Sequence, residues 1–124
     1  MRAVKRRDTR PEMVVRRLLH ARGWRYRLNR KGLPGSPDIV FPIRRKAIFV
    51  HGCFWHGHRC KRGRLPSSNL EYWSEKIEQN RARDTRVLEE LDALGWQSLV
   101  VWQCDLDDMD AITMKIEDFL HRGE

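Results

Sequence analysis

Five cysteine and histidine residues fall within ten positions of this 124-residue sequence: His51, Cys53, His56, His58 and Cys60. A third cysteine, Cys104, stands far downstream. Thiolate sulfur and imidazole nitrogen are the donors that suit zinc, and three Cys with one His make a closed tetrahedral site, normally a structural one. Spacing alone does not choose among His51, His56 and His58 as the fourth ligand. The competing account is three buried thiols with solvated histidines. Buried Cys is common, but this crowding is not. An odd cysteine count argues against a disulfide framework.

Oxygen donors of a different kind lie on either side of this segment. Asp38 follows a Gly/Pro-rich loop at the head of a short apolar run, and a carboxylate there suits magnesium beside a substrate phosphate. A Pro-Asp pair alone is often only a turn or a strand cap. Asp84 stands seven residues after Ile77 and seven before Leu91. It is thus in line with an apolar helical stripe, where an unpaired charge is costly, so a partner or a site is expected for it. With His51 and His56 these residues would assemble an acid, a base and a metal. Histidine takes a proton from attacking water near neutral pH, while Mg2+ stabilises charge on the phosphate and the leaving oxygen. Glu12, three residues after Thr9, is either the partner in a capping box or an acid supporting the site.

Lys and Arg number 25 against 17 Asp and Glu, a formal net charge of +8. Such a balance favours an anionic partner, most commonly nucleic acid. Phe54, Trp55 and Trp73 lie in or beside a basic, glycine-containing segment and could wedge between bases or stack on them; core packing is the alternative, above all for Trp73. Lys61, Arg62 and Arg64 are placed to reach phosphates or form a solvated run. No stretch approaches the roughly 18 to 20 apolar residues of a membrane span, and the N-terminus has no apolar signal core, so a cytoplasmic protein is expected.

The positioning elements follow from periodicity. Residues 1–8 read as a basic arm. Val14, Val15, Leu18 and Leu19 recur at helical spacing from the Thr9 cap to the stop at Gly23, which predicts a helix over about 10–22. Trp24, Tyr26 and Leu28 alternate with arginines as in a half-buried strand. Residues 38–41 and 47–50 read as a hairpin. If it closes at about residue 44, Asp38 faces Val50, and the carboxylate, the Val50 backbone carbonyl and His51 share one end of the ladder. A long helix over about 70–94 carries Trp73, Ile77, Leu88, Leu91 and Leu94 on one side, and Gly95 ends it. The apolar run Leu99 to Trp102 then reads as a parallel strand reached by crossover. That topology brings Cys104 to the loop after Val50. A last helix covers about 109–121, capped by Asp108 or Asp110. One compact α/β domain spanning 1–124 is expected.

The segment His51-Gly52-Cys53-Phe54-Trp55-His56-Gly57-His58-Arg59-Cys60, preceded by Leu33-Pro34-Gly35-Ser36-Pro37-Asp38, resembles the signature of the very short patch repair (Vsr) mismatch endonuclease family. The likeness extends to Thr9-Arg10-Pro11-Glu12, Tyr72-Trp73-Ser74-Glu75-Lys76-Ile77, the Asn80 to Asp84 stretch, Gly95-Trp96 and Val101-Trp102-Gln103-Cys104. The resemblance implies a restriction-endonuclease-like α/β fold with a mixed central β-sheet flanked by helices. It implies an enzyme that nicks one DNA strand on the 5′ side of the thymine in a T:G mismatch left by deaminated 5-methylcytosine. By matching position, Asp38 and the Val50 carbonyl would bind magnesium, His56 would be the general base, and His51 and Asp84 would orient water on the metal. Cys53, His58, Cys60 and Cys104 would hold a structural zinc, Phe54, Trp55 and Trp73 would form an aromatic wedge, and Glu12 would support the active site. The Asp/Glu-x-Lys element of the wider nuclease superfamily is replaced by Phe49-Val50-His51, as is typical of this branch. The arm before Pro11 is short for one that wedges the opposite face of the DNA.

Two other classes compete. A zinc-stabilised DNA-binding module without catalysis explains the charge, the aromatics and the Cys/His cluster, but not Asp38 or the inward Asp84. A His-Cys or HNH nuclease would hold its catalytic metal in the Cys/His loop itself, which the distant Cys104 argues against. The expected partners are double-stranded DNA with a T:G mismatch and mismatch-repair proteins or a DNA cytosine methyltransferase system, and the expected state is a monomer.

Overall fold

The computed structural model describes residues 9–28, 32–54, 56–58, 60 and 64–122. The first helix, α1 (Arg10–Ala21), begins where Thr9 Oγ1 accepts the Glu12 N–H at 3.4 Å. That contact satisfies one of the donors a helix start leaves orphaned. Pro11 lies in the first turn, where a missing N–H costs nothing. The helix buries Val15 and Leu19 and, with them, the charged pair Glu12 and Arg16.

A two-residue strand, β1 (Arg27–Leu28), precedes β2 (Ile39–Phe41) and β3 (Lys46–His51). Then come α2 (Leu70–Ala93), β4 (Gln97–Trp102), a 3-10 helix (Gln103–Asp107) and α3 (Met109–His121). The sheet order is β1-β2-β3-β4. The first two pairings are antiparallel, and β3 runs parallel to β4. A parallel pair needs a crossover, which α2 supplies.

Successive strand residues point to opposite faces of the sheet. Ile39, Phe41, Ile48 and Val101 face one way, into a core closed by Val15 and Leu19 of α1 and by Ile112, Ile116, Phe119 and Leu120 of α3. Phe49 faces the other way, towards α2. A Cβ added at Gly35 would lie 2.5 Å from Val87 of α2 and 3.3 Å from Phe49, and Gly35 has φ +72°, so glycine is required there on both counts. Helices therefore cover both faces of a mixed sheet. Lys46, buried on the α3 side, donates its ammonium to the carbonyls of Phe119 (2.6 Å), Leu120 (3.1 Å) and Arg122 (2.6 Å), groups that the end of a helix leaves without partners.

The three main helices match their expected spans to within one or two residues, and three details differ. The hairpin ladder is shifted by one residue from a closure at 44, with Ile39 pairing Ile48 and Phe41 pairing Lys46. The cause is a four-residue turn in which Arg45, at φ +54°, donates its N–H to the Pro42 carbonyl. The strand expected from Trp24 pairs only at Arg27 and Leu28. The Trp24 N–H is used at the end of α1, on the Leu19 carbonyl at 3.0 Å, although Trp24 and Tyr26 still pack on the core. Leu94, expected on the buried stripe of α2, caps the helix instead and is 54% exposed.

Candidate active site and metal cluster

Parallel strands end on the same side of a sheet, and His51 and Trp102 are register partners at the ends of β3 and β4. The loop after His51 and the segment after Trp102 therefore meet, and chemistry-bearing side chains collect there.

One cluster holds Cys53, His58, Cys60 and Cys104, each offering a ligand atom, all within 4.8 Å of one another. The Cys104 N–H donates to Cys53 Sγ at 3.4 Å, and Cys104 Sγ lies 3.4 Å from His58 Nδ1. Burial and the neighbouring thiols push the Cys104 thiol up to about 12, and burial also raises that of Cys53. Three crowded thiols and one imidazole fit a closed tetrahedral metal site, in which a cation would offset thiolate charge. Of the three histidines that spacing left equal, the fold brings His58 to this cluster and sends the other two elsewhere.

Those two form a second cluster with Asp84. His56 Nδ1 lies 2.5 Å from Asp84 Oδ2, and the His51 and His56 rings stack with centroids 3.7 Å apart and planes 2° from parallel. Asp84 thus has the partner that its place on the α2 stripe required. Gly57 makes the approach possible. A Cβ there would come within 2.5 Å of Ile77 and 2.8 Å of Arg81, and its φ of +64° is one that side chains disfavour. Burial first, and then the adjacent His56, depress the His51 imidazole to about 4, with Asp84 opposing, so His51 is neutral at physiological pH. Its Nδ1 is buried without a hydrogen-bond partner among the described residues. An orphaned buried nitrogen of this kind is costly unless a ligand or water uses it.

Asp38 sits just ahead of β2 and accepts the Val50 N–H through Oδ2 at 2.8 Å, so the expected meeting of Asp38 with Val50 survives the change of register. Burial lifts the Asp38 carboxyl to about 7; the Val50 N–H lowers it, the adjoining Glu12 carboxyl adds to the rise, and Arg16 opposes it. Glu12 is 1% exposed and pairs with Arg16 Nη2. Its N–H serves the Thr9 cap, whereas its carboxylate turns inward to Arg16 and Asp38. Two adjoining carboxyl groups beside the Val50 peptide, Glu12 buried and Asp38 half-buried, are hard oxygen donors of the kind that fits a divalent cation.

At the start of α2, Trp73 is half-buried, with Phe54 edge-on at 5.3 Å and Tyr72 at 5.1 Å. Arg64 is exposed. Trp55, Lys61, Arg62 and the arm 1–8 lie outside the described residues. Sequence reasoning passed over Arg16, which the four-residue spacing from Glu12 could have flagged. It also passed over Trp102, which becomes visible only through the β3–β4 register. An open groove between α1 and α3, lined by Val14, Leu18, Met109 and Met114 among others, includes none of the candidate residues.

A stacked imidazole pair anchored to an aspartate, at the sheet end that also carries Asp38, is suited to the proton transfers of a hydrolase. The family of this one is set by comparison with known proteins. The family model described as DNA mismatch endonuclease Vsr matches residues 1–62. The chain is 58% identical over 120 residues to the Type II nicking enzyme V.XorIIP of Xanthomonas oryzae pv. oryzae, covering 97% of this chain and 88% of that one. It is 42% identical over 113 residues to the DNA mismatch endonuclease Vsr of Escherichia coli, covering 91% and 72%. To the Type II nicking enzyme V.NmeAIP of Neisseria meningitidis it is 46% identical over 99 residues, covering 80% and 71%. The chain belongs to the Vsr family of DNA mismatch endonucleases. Its substrate is accordingly DNA, and among the described residues no helix is long and apolar enough to cross a membrane.

Proposed function

We propose that this chain is a magnesium-dependent endonuclease that nicks one strand on the 5′ side of the thymine in a T:G mismatch, opening a short repair patch at deaminated 5-methylcytosine. The observation that carries the reading is the His56–Asp84 pair, stacked on a neutral His51 and set at the same sheet end as Asp38 and Val50. A DNA-binding module without catalysis has no use for that arrangement.

In this reading Asp84 accepts a hydrogen bond from His56 Nδ1–H. That fixes the tautomer whose Nε2 is free to take a proton from the attacking water. His51, neutral and with a nitrogen unpartnered among the described residues, orients that water together with Asp84. Asp38 and the Val50 carbonyl hold magnesium, which when bound neutralises charge building on the phosphate and the leaving oxygen. Glu12, fixed by Arg16, supports Asp38. Cys53, His58, Cys60 and Cys104 hold zinc, whose role is to pin the loop that carries His56. Phe54, Trp55 and Trp73 wedge beside the mismatch, with Lys61, Arg62 and Arg64 on phosphates. The fold is read as a restriction-endonuclease-like domain, acting as a monomer in the cytoplasm beside mismatch-repair proteins or a cytosine methyltransferase.

The test is a strand-resolved nicking assay, with and without Mg2+, on labelled duplexes that differ only in a T:G mismatch or a T:A pair. Magnesium-dependent nicking beside the mismatched thymine is expected. Binding of the mismatch without cleavage would move the assignment to a zinc-stapled DNA-binding module.

A further inference from the structure

We infer that Trp102 is a positioning residue that ties the Cys/His metal cluster to the catalytic histidines, so that what fills the cluster sets the alignment of His51 and His56. The inference rests on the nuclease reading above. Its basis is one indole meeting three imidazoles that belong to two different centres. One face of Trp102 stacks on His58 of the metal cluster, with centroids 4.1 Å apart and planes 15° from parallel. Its ring also makes edge contacts with His51 at 5.3 Å and 76°, and with His56 at 6.2 Å and 74°.

The backbone explains why Trp102 occupies this place. It is the last residue of β4 and the register partner of His51, so the two side chains leave the same face of neighbouring strands. Asp105 Oδ2 accepts the Trp102 N–H at 2.8 Å, which fixes the residue where the chain turns out of the sheet and into the 3-10 helix carrying Cys104. Trp102 is thus anchored by its own backbone and two residues from a thiol of the cluster. His58 cannot shift without moving the ring stacked on it, and that ring cannot shift without moving His51 or His56, because close-packed side chains transmit displacement. His56 is then bounded on three sides, by the stacked His51, by Asp84 at Nδ1 and by the indole edge. Catalysis is sensitive to such placement: an error of about 1 Å costs on the order of a hundredfold in rate.

Two substitutions separate a shared wall from simple space filling. Trp102→Phe keeps a flat aromatic ring, whereas Trp102→Leu keeps apolar bulk without one. In the zinc-loaded protein, Trp102→Leu is expected to retain the wild-type zinc content and KM for mismatched duplex while kcat falls about tenfold or more. Trp102→Phe should stay within about threefold of wild type. Wild-type protein in the same assay is the control, because failure of wild type to nick mismatched DNA would strike the nuclease reading and not this one. A second measurement is independent of activity. Exchanging zinc for the larger cadmium ion should move the imidazole proton resonances of His51 and His56 as well as those of His58 in wild type, but only those of His58 in Trp102→Leu. Wild-type kcat in Trp102→Leu, equal losses in both variants, or a cadmium response of His51 and His56 that survives in Trp102→Leu would each overturn the inference. If Trp102→Leu does not fold, absence of any cadmium response at His51 and His56 in wild type does the same.

Discussion

His56 and Asp84 are 28 residues apart in the chain, yet His56 Nδ1 lies 2.5 Å from Asp84 Oδ2. The pairing joins a loop residue to one from the middle of α2, and Gly57 permits it by letting the loop lie on Ile77 and Arg81. An aspartate that holds one ring nitrogen decides which nitrogen is free to act as a base.

Removing the base and removing its anchor should therefore differ in size but not in kind. His56→Ala is expected to lower kcat by roughly a hundredfold to ten-thousandfold, the usual contribution of a general base. Asp84→Asn should lower it by about a hundredfold through loss of tautomer control, with KM for mismatched duplex nearly unchanged in both variants. Single-turnover nicking measures this directly. A rise in KM with kcat preserved would instead place the pair in DNA binding.

Asp38 and His51 make opposite contributions to the dependence of stability on pH. The folded Asp38 carboxyl, at about 7, lies above its ordinary 3.8, so its contribution is present in acid and is lost as pH rises through about 7. The folded His51 imidazole, at about 4, lies below 6.5, so its contribution is present above 6.5 and is lost as pH falls through about 4. Asp38→Asn keeps an oxygen for the Val50 N–H and removes only the first effect. Without added Mg2+, its stability advantage over wild type should grow from pH 4 to 7 and level off above, reaching roughly a few kcal/mol. Added Mg2+ should narrow that gap by stabilising the ionised wild-type carboxylate, while Asp38→Asn no longer nicks. Urea unfolding of both proteins across pH gives the comparison. A gap that does not vary with pH would mean that Asp38 ionises as freely in the folded chain as in the unfolded one.

How much could be read from the sequence depended on how local the determining physics was. The helices were legible because caps and apolar spacing are short-range: Thr9 with Glu12, Asp108 with Ala111, and the Ile77 to Leu91 interval on α2. The meeting of Cys104 with Cys53 followed from a general rule about parallel strands and crossovers. Register did not follow, because it hangs on one turn residue, Arg45, held at positive φ. The choice of His58 over His51 and His56 was also out of reach of spacing. It depends on the loop folding back around Gly57 and on the ring of Trp102, contacts between residues distant in the chain.

The Cys/His cluster gives a prediction about stability. Cys104 is the one candidate ligand outside the loop after β3, carried by the 3-10 helix that follows β4, so losing it should free the loop from the sheet and not merely weaken a metal. Cys104→Ser is expected to bind less than one zinc per chain and to melt about 10 °C or more below wild type. Nicking should be lost together with zinc, because His56 rides on the same loop. Zinc content by atomic absorption, read beside a thermal melt, checks this. Full zinc content with an unchanged melt would remove Cys104 from the ligand set.

Lys46 supplies a control on the opposite side of the sheet, distant from the chemistry. Its three bonds to the Phe119, Leu120 and Arg122 carbonyls close the end of α3, while burial, with Arg44 and Arg122 nearby, lowers its affinity for the proton. Lys46→Met retains the apolar stem but leaves those carbonyls to water or to nothing, at a cost of about 1–3 kcal/mol for such groups. Relief from desolvating a buried ammonium offsets part of that loss. The expected net is a fall of about 1–2 kcal/mol in urea unfolding, with nicking per folded molecule unchanged. A neutral result would mean that desolvation cancels the three hydrogen bonds, and Lys46 would then contribute to specifying where α3 docks and not to holding it there.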